Sequence, residues 1–246
     1  MKNRILYTLS FLLVFTIQSC KKDNKTTSDN VAVIDSLPAK KEFEENGEEY
    51  EENDPEEADI TYSKTGKKAS DFLPKLDIYE IQYETHGDLN NDDLKDIAIV
   101  LKHKDVKTAK RPMLILLQNS DKTYRLDKVS DVTMPVEYND HDYKLYDTEE
   151  IKIEKGELHI NLYGDGASGT FLSAFKYLES GLVLTHMETY FRGAGQVSSH
   201  IYDFEKEESI TSETNTMTED EPTTSKTTKI KKKPLFFEET SITDLN

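Results

Sequence analysis

The chain has 246 residues, of which 48 are Asp or Glu and 31 are Lys or Arg, so its formal charge at pH 7 is −17. This acidity excludes nucleic acid as a partner, because phosphates are bound by Lys and Arg, and it excludes adsorption to an anionic membrane through the protein surface. The single cysteine excludes an intrachain disulfide.

The first 19 residues have the pattern of a signal peptide. Two basic residues precede a mostly apolar segment at 5–17, which is too short to span a membrane comfortably as a permanent helix. Ser19 and Cys20 follow, and a small residue followed by Cys at this place resembles the lipobox of bacterial lipoproteins. The resemblance implies that Cys20 is lipidated and becomes the mature N-terminus. The surrounding "SCKKD" is similar to lipoproteins of the Bacteroidota type.

The predicted processing defines the expected location. Removal of the signal peptide takes away two basic and no acidic residues, and leaves −19 on the mature chain. Attachment to a membrane would then come from acyl chains on Cys20, of which more than one is needed for a firm anchor. We therefore expect a cell-envelope protein, an outer-membrane lipoprotein that faces the periplasm or the cell surface.

Residues 20–68 are predicted to be a disordered acidic linker that begins at the lipidated cysteine. Eleven of the eighteen residues from Glu42 to Asp59 are acidic, and like charges at this density repel one another and extend the chain. Such a tether would have a root-mean-square reach of roughly 40 Å. The alternative is an acidic segment that binds cations or a basic partner.

Residues 69–204 are predicted to form a mainly β domain, an antiparallel meander arranged as a sandwich or a partial propeller. Short apolar runs alternate with turns every 8–12 residues, without a long helical period. Four consecutive aliphatic residues at 98–101 predict a strand that is buried on both faces. We expect hairpins at 113–126, 151–162 and 171–190, each around a polar or glycine-containing turn.

Residues 205–246 are predicted to close the chain without a large core of their own. The Thr-, Ser- and Glu-rich stretch at 205–226 is expected to be a loose loop. A strand at 229–237 and a short tail would follow. The lysines at the start of this strand predict an edge position, because lysines protect a sheet edge from pairing with another chain.

A dense group of Asp and Asn side chains precedes the strand at 98–101. Counted from the first of them, oxygen-bearing side chains stand at positions 1, 3, 5 and 9, which are Asp88, Asn90, Asp92 and Asp96. Calcium takes about six to eight oxygen ligands, and alternate side chains of a tight loop can supply them. Leu94 at position 7 would add its backbone carbonyl. The spacing predicts a structural Ca²⁺ loop, and an Asx-rich turn without metal is the alternative.

The stretch "GDLNNDDLKDIAIV" resembles the DxDxDGxxD calcium loop of FG-GAP/VCBS-type β repeats. Residues 71–190 are similar more broadly to a group of bacterial lipoproteins, through this loop and the segments Arg111–Leu117 and Phe171–Tyr177. The resemblance implies an envelope location and a β fold, and it implies no particular reaction. The chain departs from the loop pattern at Asp93, where Gly usually provides a positive φ. Ile99 replaces the bidentate Glu of an EF-hand.

The remaining motifs predict no catalytic and no cofactor-binding residue. Gly164–Gly169 matches GxGxxG, but the residues after it predict a strand, whereas a dinucleotide site needs a helix there. The six histidines show neither HExxH nor another close ligand spacing, and no GxSxG element is present.

The sequence therefore predicts a lipid-anchored envelope protein, a non-catalytic binding or envelope-maintenance module with an unidentified envelope or extracellular ligand. The alternative is a hydrolase that acts on carbohydrate or peptide through paired carboxylates. An acid pair across a cleft would favour the hydrolase, and a flat surface without convergent polar groups would favour the binding module. The absence of Trp counts against a sugar-stacking cleft.

Overall fold

The protein is described by a computed structural model over residues 60–166, 168–231 and 233–245, all within one compact unit, Asn53–Asn246. The predicted signal peptide, Cys20 and most of the acidic linker lie outside these residues. A 3₁₀ turn at Ala69–Phe72 follows the first strand. The strands are β1 Thr65–Gly66, β2 Tyr79–Gly87, β3 Asp96–His103, β4 Met113–Gln118, β5 Tyr124–Ser130, β6 Thr148–Glu154, β7 Glu157–Tyr163, β8 Thr170–Leu178, β9 Gly181–Gly193, β10 Gln196–Asp203, β11 Glu208–Asn215 and β12 Thr223–Lys229.

The strands form two antiparallel sheets, which confirms the predicted mainly β, antiparallel meander. The smaller sheet has the order β1-β5-β4-β3-β2, and the larger sheet runs without interruption from β12 to β6. One apolar core contains side chains of both sheets, such as Val100 and Ile115 of the smaller sheet and Ile160 and Phe175 of the larger. The chain alternates apolar and polar residues along β7, so Leu158, like Ile160, enters this core while its neighbours face outward.

Strand β3 is buried on both faces, as the aliphatic run predicted. Ala98 and Val100 belong to the core between the sheets. Ile99 belongs to a second apolar cluster on the other side of the smaller sheet, which also contains Phe72 of the 3₁₀ turn. A strand with apolar neighbours on both sides needs no polar alternation, which explains why this run is continuous.

The predicted start of the folded domain at residue 69 was wrong. Ile60 and Tyr62 already pack against the second cluster, and β1 pairs with β5 through Thr65 and Gly66. These apolar residues stand singly among polar ones, so they carry no periodic pattern. They are buried because the apolar outer face of β3 and β4 would otherwise be exposed to solvent, and some part of the chain must cover it.

The loose loop predicted at 205–226 was also wrong, because β11 and most of β12 lie there. Thr is favoured in strands, and cross-strand hydroxyl pairs hold this ribbon, with 2.8 Å between the Oγ atoms of Ser212 and Ser225. The edge strand predicted at 229–237 is not a strand of this length. Its last residues run beside β9, where Phe236 forms a single bridge to Val183 and Phe237 is fully buried in the main core.

The three predicted hairpins are confirmed. They are β4–β5, β6–β7 and β8–β9, each paired in continuous antiparallel register apart from single bulges. The GxGxxG segment is followed by strand β8, so it forms a turn between strands, as its context predicted.

Candidate functional site

The Asp/Asn segment forms a tight loop between β2 and β3. Asp93 has φ +66° and Asn91 has φ +59°, so both residues adopt the left-handed conformation that Asp and Asn tolerate better than most. The positive φ for which Gly was expected at this position is therefore adopted by Asp93. The replacement of Gly by Asp does not prevent the turn.

The side chains of the loop cap its own backbone. The carboxylate of Asp88 accepts the N–H of Asp92 at 3.1 Å and that of Asp93 at 2.9 Å. Asp92 accepts the N–H of Leu94 at 2.9 Å and a hydrogen bond from the Asn90 amide at 2.9 Å. Four of the five predicted ligand residues are thus brought together in one turn.

The fifth residue, Asp96, joins the loop to the smaller sheet. Its side chain is fully buried and accepts the N–H groups of Leu89 at 2.9 Å, Asn90 at 3.4 Å and Gln118 at 3.0 Å. Burial raises the pKa of Asp96, and these backbone hydrogen bonds offset part of the rise. Asp96 fixes the start of β3 to the end of β4, a role that needs no metal.

The donor set fits calcium in its chemistry. Asp88, Asn90, Asp92 and Asp96 offer side-chain oxygens and Leu94 offers a carbonyl, which gives five positions of the type that Ca²⁺ prefers. A carboxylate oxygen that accepts one N–H retains a lone pair for a cation. The Oδ2 atom of Asp96 accepts two N–H groups, so only its Oδ1 atom, which accepts one, fits this condition. Over residues 60–166, 168–231 and 233–245, no group of three or more His, Cys, Asp or Glu side chains is arranged to hold a metal ion.

A buried ion pair that the sequence analysis missed connects the two sheets. The guanidinium of Arg111, just before β4, makes two bonds of 2.6 and 2.8 Å to the carboxylate of Glu149 in β6. The two side chains are 2% and 1% exposed. Arg111 also donates to Gln82 of β2 at 3.2 Å and to the carbonyl of Pro135 at 2.7 Å. Nearby Tyr83 has its pKa raised to about 12 by its own burial and then by Glu149.

A local signal for this pair was present in the sequence. Glu149 precedes Ile151 and Ile153 at the spacing of one strand face, so it occupies a core-facing position of β6. A charged residue in such a position predicts a buried partner of opposite charge, because an unpaired buried charge is strongly destabilising. The partner is 38 residues away, and only the packing of the sheets identifies it.

The larger sheet carries a polar pocket of about 420 Å³ on the face that points away from the core. Polar residues alternate with buried apolar ones along β7 and β9, which places them outward. The pocket gathers four carboxylates and two imidazoles, from Glu157, Glu188, Asp203, Glu205, His159 and His186. None of these residues was predicted as a site residue, although the alternation in β7 predicts that its polar side chains share one face.

Two of the pocket carboxylates are held in the ionised form. Burial tends to raise the pKa of Glu188, but hydrogen bonds from Tyr190 and His186 outweigh it and lower this pKa. The Nε2 atom of His186 lies 2.8 Å from Glu188. A hydrogen bond from Lys206, with the ammonium 2.7 Å from the carboxylate, lowers the pKa of Asp203. The pocket therefore presents fixed negative charge at neutral pH.

Comparison with known proteins adds no relative. No family model, no curated protein and no solved structure matches the chain. Among the described residues, no helix is long and apolar enough to cross a membrane.

Proposed function

We propose that this protein is a lipid-anchored cell-envelope protein that binds a ligand on the outer face of its larger sheet without converting it. The proposal combines the lipobox-like segment at Cys20 with the polar pocket. The observation that carries the second part is the geometry of the pocket, in which His186 lies 2.8 Å from the carboxylate of Glu188 and the ammonium of Lys206 lies 2.7 Å from that of Asp203; these hydrogen bonds lower the pKa of both carboxyl groups.

A lowered pKa argues against acid catalysis by these residues. A glycosidase needs one carboxylic acid that is still protonated at working pH, and its pKa is raised for that purpose. Among the described carboxylates with a shifted pKa, only that of Asp96 is raised. Asp96 is enclosed by three backbone N–H groups and lies in the loop instead of the pocket.

A hydrolase is the second candidate, because the pocket does bring carboxylates together. The pocket is lined by Glu157, Glu188, Asp203 and Glu205, and most glycoside hydrolases use a pair of carboxylates as their catalytic residues. The purified domain should be incubated with chromogenic glycosides and with casein. We expect no turnover. Turnover that Glu188→Gln or Asp203→Asn abolishes would establish the hydrolase instead.

The calcium loop is proposed as a structural element of this module. Its support is the donor spacing from Asp88 to Asp96 and the positive φ of Asp93. A bound ion would neutralise carboxylates that repel one another and would fix the entry into β3. The chain's own residues already hold the turn, so the ion would add stability without creating the fold.

The anchor is tested through Cys20. With wild-type protein we expect membrane-bound material that labels with palmitate, and with Cys20→Ala we expect unlabelled protein in the soluble fraction. Ser19→Ala serves as a control, because Ala is also a small residue at this position. Unchanged partitioning of Cys20→Ala into detergent would refute the lipid anchor.

A further inference from the structure

A row of hydroxyl-bearing side chains crosses the whole outer face of the larger sheet. Directly paired residues of antiparallel strands point to the same side, so the register can be followed from strand to strand. The row contains Thr148, Tyr163, Thr170, Tyr190, Ser199, Ser212 and Ser225, one from each strand from β6 to β12. All seven are exposed or half-buried. At a strand spacing of about 4.8 Å the row extends roughly 29 Å along the sheet.

The two tyrosines of the row are spaced for a repeating ligand. Tyr163 and Tyr190 are each 37% exposed, and both are paired with Thr170, so one strand lies between them. Their backbones are therefore about 10 Å apart. An aromatic ring packs against the apolar face of a sugar. The hydroxyl of Tyr190 donates to Glu188, and its oxygen still accepts a hydrogen bond from a sugar hydroxyl.

The pocket lies directly beside the row. Asn161, Leu172 and Glu188, each two residues from a member of the row along β7, β8 or β9, line it. The ionised Glu188 accepts hydrogen bonds from hydroxyl groups and repels anions. Glu157, Asp203 and Glu205 line the same pocket, so an acidic polymer would be repelled where it passes this end of the row.

We propose that the outer face of the larger sheet binds a linear, uncharged glycan that lies across the strands along the hydroxyl row. This inference rests on the proposed binding function and names its ligand class. Hydroxyl side chains both donate and accept hydrogen bonds, as sugar hydroxyls do. The hydroxyls of the row that already bond to a neighbour, those of Tyr190 and of the Ser212–Ser225 pair, keep lone pairs that accept from a sugar. A protein partner would need an apolar centre in the contact surface, whereas five of the seven side chains of this row are Ser or Thr.

The test is affinity electrophoresis of the full-length chain in gels that contain soluble polysaccharides. Hydroxyethylcellulose, mannan and dextran supply uncharged chains, and carboxymethylcellulose supplies the same backbone as the first with negative charge. We expect retardation by at least one uncharged polymer and none by carboxymethylcellulose. Migration unaffected by every uncharged polymer, or equal retardation by the carboxymethyl polymer, would overturn the glycan proposal.

Variants locate the binding face. Tyr163→Ala with Tyr190→Ala should weaken binding about tenfold, the change expected for a loss of about 1.4 kcal/mol. The control is Tyr143→Ala, because Tyr143 is 69% exposed and lies in the β5–β6 connection instead of the sheet. Thr170→Val removes one hydroxyl between the tyrosines with little change of volume, and should weaken binding several-fold even if the double variant is unstable. Equal weakening by Tyr143→Ala would contradict the row as the site.

Failure of this test is distinguishable from failure of the proposed function. Fractionation of Cys20→Ala tests whether the protein is lipid-anchored, and the turnover assay tests whether it is a hydrolase. Neither experiment uses the polysaccharides of the gel. Loss of the anchor with retained glycan retardation would leave the inferred ligand in place and remove the envelope location.

Discussion

Removal of one partner of the Arg111–Glu149 pair should destabilise the domain strongly. The Arg111 side chain is 2% exposed beside Glu149, and in Glu149→Leu its guanidinium would keep only the bonds to Gln82 and Pro135. An uncompensated buried charge of this kind costs about 3–5 kcal/mol. For a domain of this size, 1 kcal/mol corresponds to about 2–4 °C, so the melting temperature should fall by roughly 6–20 °C.

The assay is thermal unfolding followed by circular dichroism, completed by urea denaturation at 25 °C. Arg111→Met with Glu149→Leu replaces the pair by apolar side chains, and should recover most of the loss because no unpaired charge remains. Glu80→Gln serves as the exposed control, since its 3.5 Å contact with Lys102 is half in solvent and should matter little. The reasoning is refuted if Glu149→Leu costs less than about 1 kcal/mol, or if the double variant is less stable than either single variant.

Two further predictions concern the loop. Asp96→Asn replaces an acceptor oxygen by an amide donor that faces backbone N–H groups, and should cost about 1–3 kcal/mol in urea denaturation. The pKa of Asp96 is raised in the folded state, so its pH-linked contribution to stability is present below the unfolded pKa of about 3.9 and is lost as pH rises through the folded pKa. The free energy of unfolding of Asp96→Asn should lack this decline. A variant with the same pH dependence of stability as the wild type would contradict this prediction. Calcium added to the chelated domain should raise its melting temperature. At a hundredfold excess of calcium over Kd, the free energy of unfolding should increase by about 2.7 kcal/mol. Asp88→Asn with Asp92→Asn should abolish this increase. An unchanged melting temperature of the wild type at millimolar calcium would refute calcium binding by the loop.

The parts of the fold that follow from local pattern were predictable. The aliphatic run at 98–101 and the alternation from Leu158 to Leu162 each identify a strand and its buried face, because side-chain direction repeats every two residues. The loop was also recognisable, since the spacing of its oxygens is local. The conformation of Asp93 required the structure, because Asp adopts a positive φ only in a suitable turn.

The parts that depend on register over long distance were not predictable. Ser212 and Ser225 face each other because β11 pairs with β10 and β12 then pairs with β11, whereas the composition of this segment alone is that of a loop. The partner of Arg111 lies in the other sheet. The hydroxyl row takes one residue from each of seven strands, so no spacing along the chain reveals it, and the polar pocket has the same origin.

The central claim is that the outer face of the larger sheet binds a glycan without cleaving it. The most direct measurement is isothermal titration of the folded domain with an oligosaccharide of the polymer that retards it in the gel, followed by analysis of the oligosaccharide recovered from the same cell. The account predicts saturable binding that Tyr163→Ala with Tyr190→Ala weakens, and an oligosaccharide of unchanged length. Shortened oligosaccharide whose formation requires Glu188 or Asp203, or the absence of any binding heat at millimolar concentration, would contradict it.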